Sequence, residues 1–137
     1  MNYNKPLKLL KNLPDKLNNF YNKSFKSSLI INNKSKNKKK FDPVTNLDKA
    51  FEKFIRNIIV KQFPQDAILG EEFLEKYSDN NYKWFIDPID GTKAFMVGSP
   101  TWSNLIGLTY KNQPTLGLAN FPALNKFYIN DQKKSYL

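Results

Sequence analysis

At 137 residues, with 40% hydrophobic and 15% aromatic side chains, the chain is long enough for one domain with a real core, too short for two ordinary ones, and no disordered tail. It contains no cysteine and no histidine, which excludes disulfides, thiolate and zinc sites and any Ser-His or Cys-His nucleophile, so a metal here must be held by oxygen. The net charge of +10 is uneven: residues 1–49 carry 12 Lys and 3 Asp, net +9, whereas the rest is close to neutral.

A basic first third can bind nucleic acid or steer anions. Only one of the 22 basic residues is Arg, however, and no base-stacking pattern accompanies them, so the lysines read mainly as compositional bias and nucleic acid is an unlikely partner. Leu7, Leu10, Leu13, Leu17, Phe20 and Tyr21 recur at three- and four-residue steps and predict an opening amphipathic helix that Pro14 kinks or restarts. Residues Ser27 to Ile31 fit a short strand. The following NNKSKNKKK is polar and basic and predicts a mobile loop, residues 31–42, from which one lysine, Lys34 first, can fold over the acidic turn at Asp87 to Gly91 when a substrate arrives.

A second amphipathic helix is predicted from Asn46 or Leu47 to Phe63, capped by Thr45 or Asn46 and ended by Pro64. Asp48 lies in its first turn, where a carboxylate complements the helix dipole. Ala67, Ile68 and Leu69 form a short strand stopped by Gly70, and Glu71 and Glu72 follow directly; by themselves they read as a solvated turn.

The stretch WFIDPIDGTKAFMVG, Trp84 to Gly98, then places two carboxylates three residues apart at the end of an apolar run. Pro88 is expected to end the strand at Asp87, Gly91 to take a turn conformation, and Thr92 to cap a short helix through Ala94, Phe95 and Met96. Converging carboxylates suit a hard cation such as Mg²⁺, and the N–H groups of a helix start suit phosphate. The same residue types also make an ordinary surface turn. Ser103 to Tyr110, Thr115 to Phe121 and Lys126 to Ile129 predict an antiparallel meander, giving an α+β layered arrangement of two long helices on a sheet. No apolar run has membrane-spanning length and the N-terminus lacks a signal-peptide core, so a cytoplasmic protein is the expectation.

The order FDPVTNLD, helix, ILGEEF, WFIDPIDGTKAF and GSPTWSNLIGL resembles the N-terminal half of the inositol monophosphatase superfamily of Mg²⁺-dependent phosphatases, from about Lys34 to the last residue. With Ala94 where the inositol branch usually has Asn, it looks more like the histidinol-phosphatase branch. The resemblance implies an αβαβα sugar-phosphatase fold, of which residues 1–137 would be the N-terminal metal-binding domain, with the C-terminal domain absent. It implies that Glu71, Asp87, Asp90 and the Ile89 carbonyl hold two or three Mg²⁺ ions. Glu71 and Thr92 would position the attacking water, Asp48 would join their network, and Gly91 and Thr92 would receive phosphate on their N–H groups. Lys34 corresponds loosely to a loop that reaches a third metal site in the family.

The implied reaction is hydrolysis of a small phosphorylated metabolite, best histidinol phosphate in histidine biosynthesis, with inositol monophosphate or another sugar or nucleotide phosphate as the alternative. A homodimer is possible in a full-length form. Family members are about twice as long, and a further aspartate in a W-D-x-A type motif has no match here. A sheet edge left unpaired, a half-covered core, weak Mg²⁺ binding and little activity are therefore expected of this chain. The rival readings are a basic nucleic-acid-binding module with structural acidic turns, and a non-catalytic remnant.

Overall fold

The first apolar stripe forms helix α1, Asn4–Ser24, in the computed structural model, which describes residues 3–24, 30–36, 43–131 and 134–136. Leu10, Leu13 and Leu17 are buried as their spacing requires, and Leu9 joins them. Pro14 does not restart the helix: α1 is one segment with Pro14 buried inside it. An interior proline costs about 3 kcal/mol, and burying three leucines at about 1.5–3 kcal/mol each outweighs it.

Helix α2, Asn46–Gln62, starts and ends close to where the sequence predicts. Thr45 and Asp48 form a reciprocal capping box: the Thr45 hydroxyl accepts from the Leu47 and Asp48 N–H groups, and Asp48 Oδ2 accepts from the Thr45 N–H at 2.7 Å. The α2 stripe Leu47, Phe51, Ile55 and Ile59 is fully enclosed.

Strand β1 is Ile31–Asn33 and pairs antiparallel with β2, Pro43–Thr45. Of the strand expected at Ser27 to Ile31, residues 27–29 lie outside the described ones, and of the described two Ile31 is paired and Ile30 is not. Asn32 and Asn33, expected in the mobile loop, are paired, because Ile30 is tied to the α2 start by two bonds with Asn46. Residues 37–42 of that loop lie outside the described residues.

The main sheet contains β3 (Ala67–Gly70), β4 (Tyr82–Asp90), β5 (Ser103–Tyr110), β6 (Gln113–Phe121), β7 (Lys126–Asn130) and β8 (Ser135–Tyr136), in that order. It is mixed rather than antiparallel throughout: β3 runs parallel to β4, the 71–81 connection being long enough for a crossover. Lys111 and Asn112 both have positive φ and make a two-residue hairpin, so β6 begins at Gln113 and includes Pro114 instead of starting at Thr115. The expected unpaired edge after β7 is partly closed, with Ile129 opposite Tyr136 and Asn130 opposite Ser135.

Helices α1 and α2 bury one face of this sheet, including Trp84, Ile86, Ile106, Leu108, Leu116 and Leu118. The opposite face is open, as the sequence led us to expect. Leu69, Phe85 and Tyr128 remain 37%, 39% and 47% exposed there, and Gly107 and Gly117 floor a groove of about 690 Å³ between them. Among the described residues no helix is long and apolar enough to cross a membrane.

Candidate metal and phosphate site

The parallel pairing of β3 and β4 brings the two acidic strand ends together. Gly70 lies opposite Ile86, so the next residue on each strand, Glu71 and Asp87, leaves the same end of the sheet and lines the same groove. Strand β4 does not stop at Asp87 as expected but continues to Asp90. Pro88 can stay extended yet cannot donate to the ladder, so the pairing with β5 slips between Asp87 and Asp90 instead of ending. The slip changes which way side chains alternate, leaving Pro88 and Ile89 buried and Asp90 exposed.

Burial pushes the Asp87 carboxyl up to about 7, and the charges of Glu71, Asp90 and Asp48 add to the shift, with the Ile89 backbone N–H offsetting part of it. Its Oδ1 is buried and has no hydrogen-bond partner. The charges of three other carboxylates, from the turn after β3, from β4 and from α2, therefore all reach Asp87.

Beyond Asp90 the chain turns through Gly91 at φ +83°, a left-handed conformation that only glycine takes without strain. Gly91 is the N-cap of helix α3, Thr92–Met96. Thr92 is the first helical residue instead of the cap, because Gly91 takes the turn and the Thr92 hydroxyl is engaged elsewhere. That hydroxyl lies 3.1 Å from the Ile89 carbonyl oxygen and 3.4 Å from Asp48 Oδ1. Asp48 thus caps α2 with one oxygen and reaches Thr92 with the other. Phe95 holds α3 in place by packing edge-on against buried Trp102, ring centres 4.9 Å apart.

Lys34 already rests on the acidic strand end, hydrogen-bonded to Glu72 and 3.7 Å from Glu71. Burial would lower its pKa, but the bond to Glu72 and the charges of Glu72, Glu71 and Asp48 outweigh this and raise it. Burial pushes Glu72 up, with Lys34 offsetting part of the rise.

Two sets of supporting residues escaped the sequence reading. Glu52 and Arg56 of α2 grip the turn after β3; their signal was the Asp48, Glu52, Arg56 run at four-residue steps on a helix otherwise read for its apolar side. Asn104 donates to the Pro88 carbonyl at 2.7 Å and accepts from Asn120 at 3.0 Å, and both asparagines are fully buried. Polar residues interrupting apolar strands were the visible sign, but only the register sets Asn104 opposite Asn120. Replacing Asn104 by Ala strips a donor from Pro88 and an acceptor from Asn120. The expected loss in stability is about 1–3 kcal/mol, read from denaturant unfolding; a loss within 0.5 kcal/mol, about the scatter of surface substitutions, would contradict the role.

Among the described residues no three Asp, Glu, His or Cys side chains are arranged as a ready ligand cage. Mg²⁺ does not need one, since it binds through one or two carboxylates, keeps several waters and shares substrate phosphate. The donors present fit such an ion: all are oxygens, Asp87 Oδ1 lacks a partner, and the clustered charge is costly without a cation.

Comparison with known proteins bears on the family and the fold. A histidinol-phosphatase of Chlorobaculum parvum is 45% identical over 86 residues, 63% of this chain and 33% of that protein. A fructose-1,6-bisphosphatase/inositol-1-monophosphatase of Aquifex aeolicus is 38% identical over 87 residues, 64% of this chain and 33% of its own. The solved structure of an IMPase/NADP phosphatase complexed with Mg²⁺ and phosphate superposes with a TM-score of 0.82 at 21% identity, covering 94% of this chain and 49% of that one. The matched region is thus about a third of the curated relatives and half of the solved structure. The profile of the inositol monophosphatase family matches residues 7–136, nearly the whole chain, and the chain belongs to that family.

Proposed function

We propose that the chain supplies the metal and phosphate cradle of a Mg²⁺-dependent phosphomonoesterase acting on a small phosphorylated metabolite, histidinol phosphate first. The observation that carries this is that the parallel register of β3 and β4 sets Glu71 and Asp87 on one groove, with Asp87 Oδ1 buried and unpartnered among the described residues. Glu71, Asp87, Asp90 and the Ile89 carbonyl would share two or three such ions between them. Bound there, Mg²⁺ supplies a Lewis acid for the phosphoryl oxygens and lowers the pKa of the attacking water.

The chain's own residues do the rest. The Gly91 and Thr92 N–H groups, at a helix start, face the phosphate oxygens and favour their charge. The Thr92 hydroxyl, between the Ile89 carbonyl and Asp48 Oδ1, orients the water together with Glu71 and passes its proton toward Asp48. The Lys34 ammonium, already drawn to the strand end, balances substrate charge. Preference for histidinol phosphate is supported by the 45% identical relative and by Ala94.

The test joins residues 1–137 to the second half of either the Chlorobaculum or the Aquifex relative and measures phosphate release. Mg²⁺-dependent release is expected, at least tenfold faster from histidinol phosphate than from inositol 1-phosphate in the first chimaera. Folded chimaeras inert toward both esters would contradict the cradle, and a preference for inositol 1-phosphate in both would contradict the substrate.

A further inference from the structure

Glu52 is a carboxylate with no exposure at all, on the inner side of α2, and it touches the turn that carries Glu71. Its Oε2 accepts the Glu72 backbone N–H at 2.6 Å, and its Oε1 accepts Arg56 Nε at 2.7 Å. Arg56 then reaches past the turn, donating through Nη2 to the Phe73 carbonyl at 3.3 Å and lying over the Phe73 ring. Gly70 makes the approach possible. A Cβ at that position would sit 2.2 Å from Glu52 Oε1 and 2.4 Å from its Cδ, so any side chain there would expel the carboxylate.

We propose that Glu52, locked by Arg56 and admitted by Gly70, is a positioning residue that sets the Glu71 carboxylate for cation binding before the cation arrives. A buried charge of this kind persists only where it is paired and hydrogen-bonded. Arg56 supplies the pairing, and the second oxygen is left to hold the backbone between Glu71 and Phe73. Glu71 itself is half exposed and, among the described residues, its side chain makes only the long contact to Lys34, so its direction comes from the backbone beneath it. Partners that orient a ligand from behind in this way typically change metal affinity by about 10–100-fold when removed.

The proposal rests on the metal reading above, and the experiment separates the two. Mn²⁺ is titrated into the 137-residue chain and the free ion followed by electron paramagnetic resonance. Glu52→Gln keeps an acceptor but turns an amide toward Arg56, and is expected to weaken Mn²⁺ binding at least tenfold. Ile55→Val, a core change one turn away that does not touch the turn, is expected to stay within twofold of the parent. A folded Glu52→Gln variant that binds like the parent would overturn the positioning role alone. A parent chain with no saturable Mn²⁺ binding would overturn the metal reading as well.

Should the variant fail to fold, hydrogen exchange on the parent decides. The Glu72 amide, donated to Glu52, is expected to be protected in chelator and unchanged by Mn²⁺; protection that develops only with Mn²⁺ would show a turn organised by the ion, against the proposal.

Discussion

Asp90→Asn is expected to lower kcat for phosphate release by about 10²–10³-fold in a chain completed by a second half, as loss of several kcal/mol of transition-state charge stabilisation requires. The fold should survive. Asp90 is exposed at the end of β4, and asparagine has nearly its shape and turn preference. Lost charge, not lost packing, is therefore what the assay reads. Steady-state kinetics with a thermal melt on the same sample check it: activity within threefold of the parent would remove Asp90 from the cradle, whereas a large loss with an unchanged melt supports it.

The second large effect is on stability and its pH dependence. Asp87 is pushed from 3.8 to about 7 by burial and by the charges of Glu71 and Asp90. Its folded-state pKa is raised, so between these values the folded chain holds a proton that the unfolded chain has released. This contribution is complete below about pH 4 and is lost as pH rises through 7. A full three-unit shift would be worth about 4 kcal/mol, but Asp87 is partly open to solvent and the carboxylate repulsions are screened, so about 1–2 kcal/mol is the expectation.

In chelator, the chain should melt several degrees lower at pH 8 than at pH 5.5, and Asp87→Asn should reduce that difference. Millimolar Mg²⁺ should raise the melting temperature of the parent at pH 8 and leave the variant unmoved, since a ligand stabilises only the state that binds it. Equal pH profiles for parent and variant would place the burden elsewhere.

Much of this was legible in the sequence because it is local. The α2 boundaries followed from a capping threonine, a stripe at Phe51, Ile55 and Ile59, and a terminating proline. The meander followed from turn residues between apolar runs. Glu71, Asp87 and Asp90 each read alone as part of an exposed turn, and it was the order of the motifs, with the resemblance it carries, that singled them out.

Most of the misreadings were cases in which partners distant in sequence decide. Of the two outcomes expected at Pro14, a kink or a restart, the restart does not occur, because buried leucines on either side hold the helix through it. Pro88 was read as a strand end, but β5 pairs on both sides of it and Asn104 compensates the irregular backbone. The parallel β3–β4 pair leaves no periodicity that distinguishes it from an antiparallel one, yet it is what sets Glu71 beside Asp87. Thr92 was read as a cap from residue type, but Gly91 takes the turn and frees the hydroxyl for Asp48 and Ile89.

The most direct test of a cation site at these strand ends is anomalous diffraction from crystals of the chain soaked in Mn²⁺. The expected result is a peak within about 2.0–2.6 Å of carboxylate oxygens of Glu71 and Asp87, the range of hard-cation oxygen ligands. Mn²⁺ bound only elsewhere, with Glu71 still facing Lys34 and Asp87 Oδ1 still unpartnered, would contradict it.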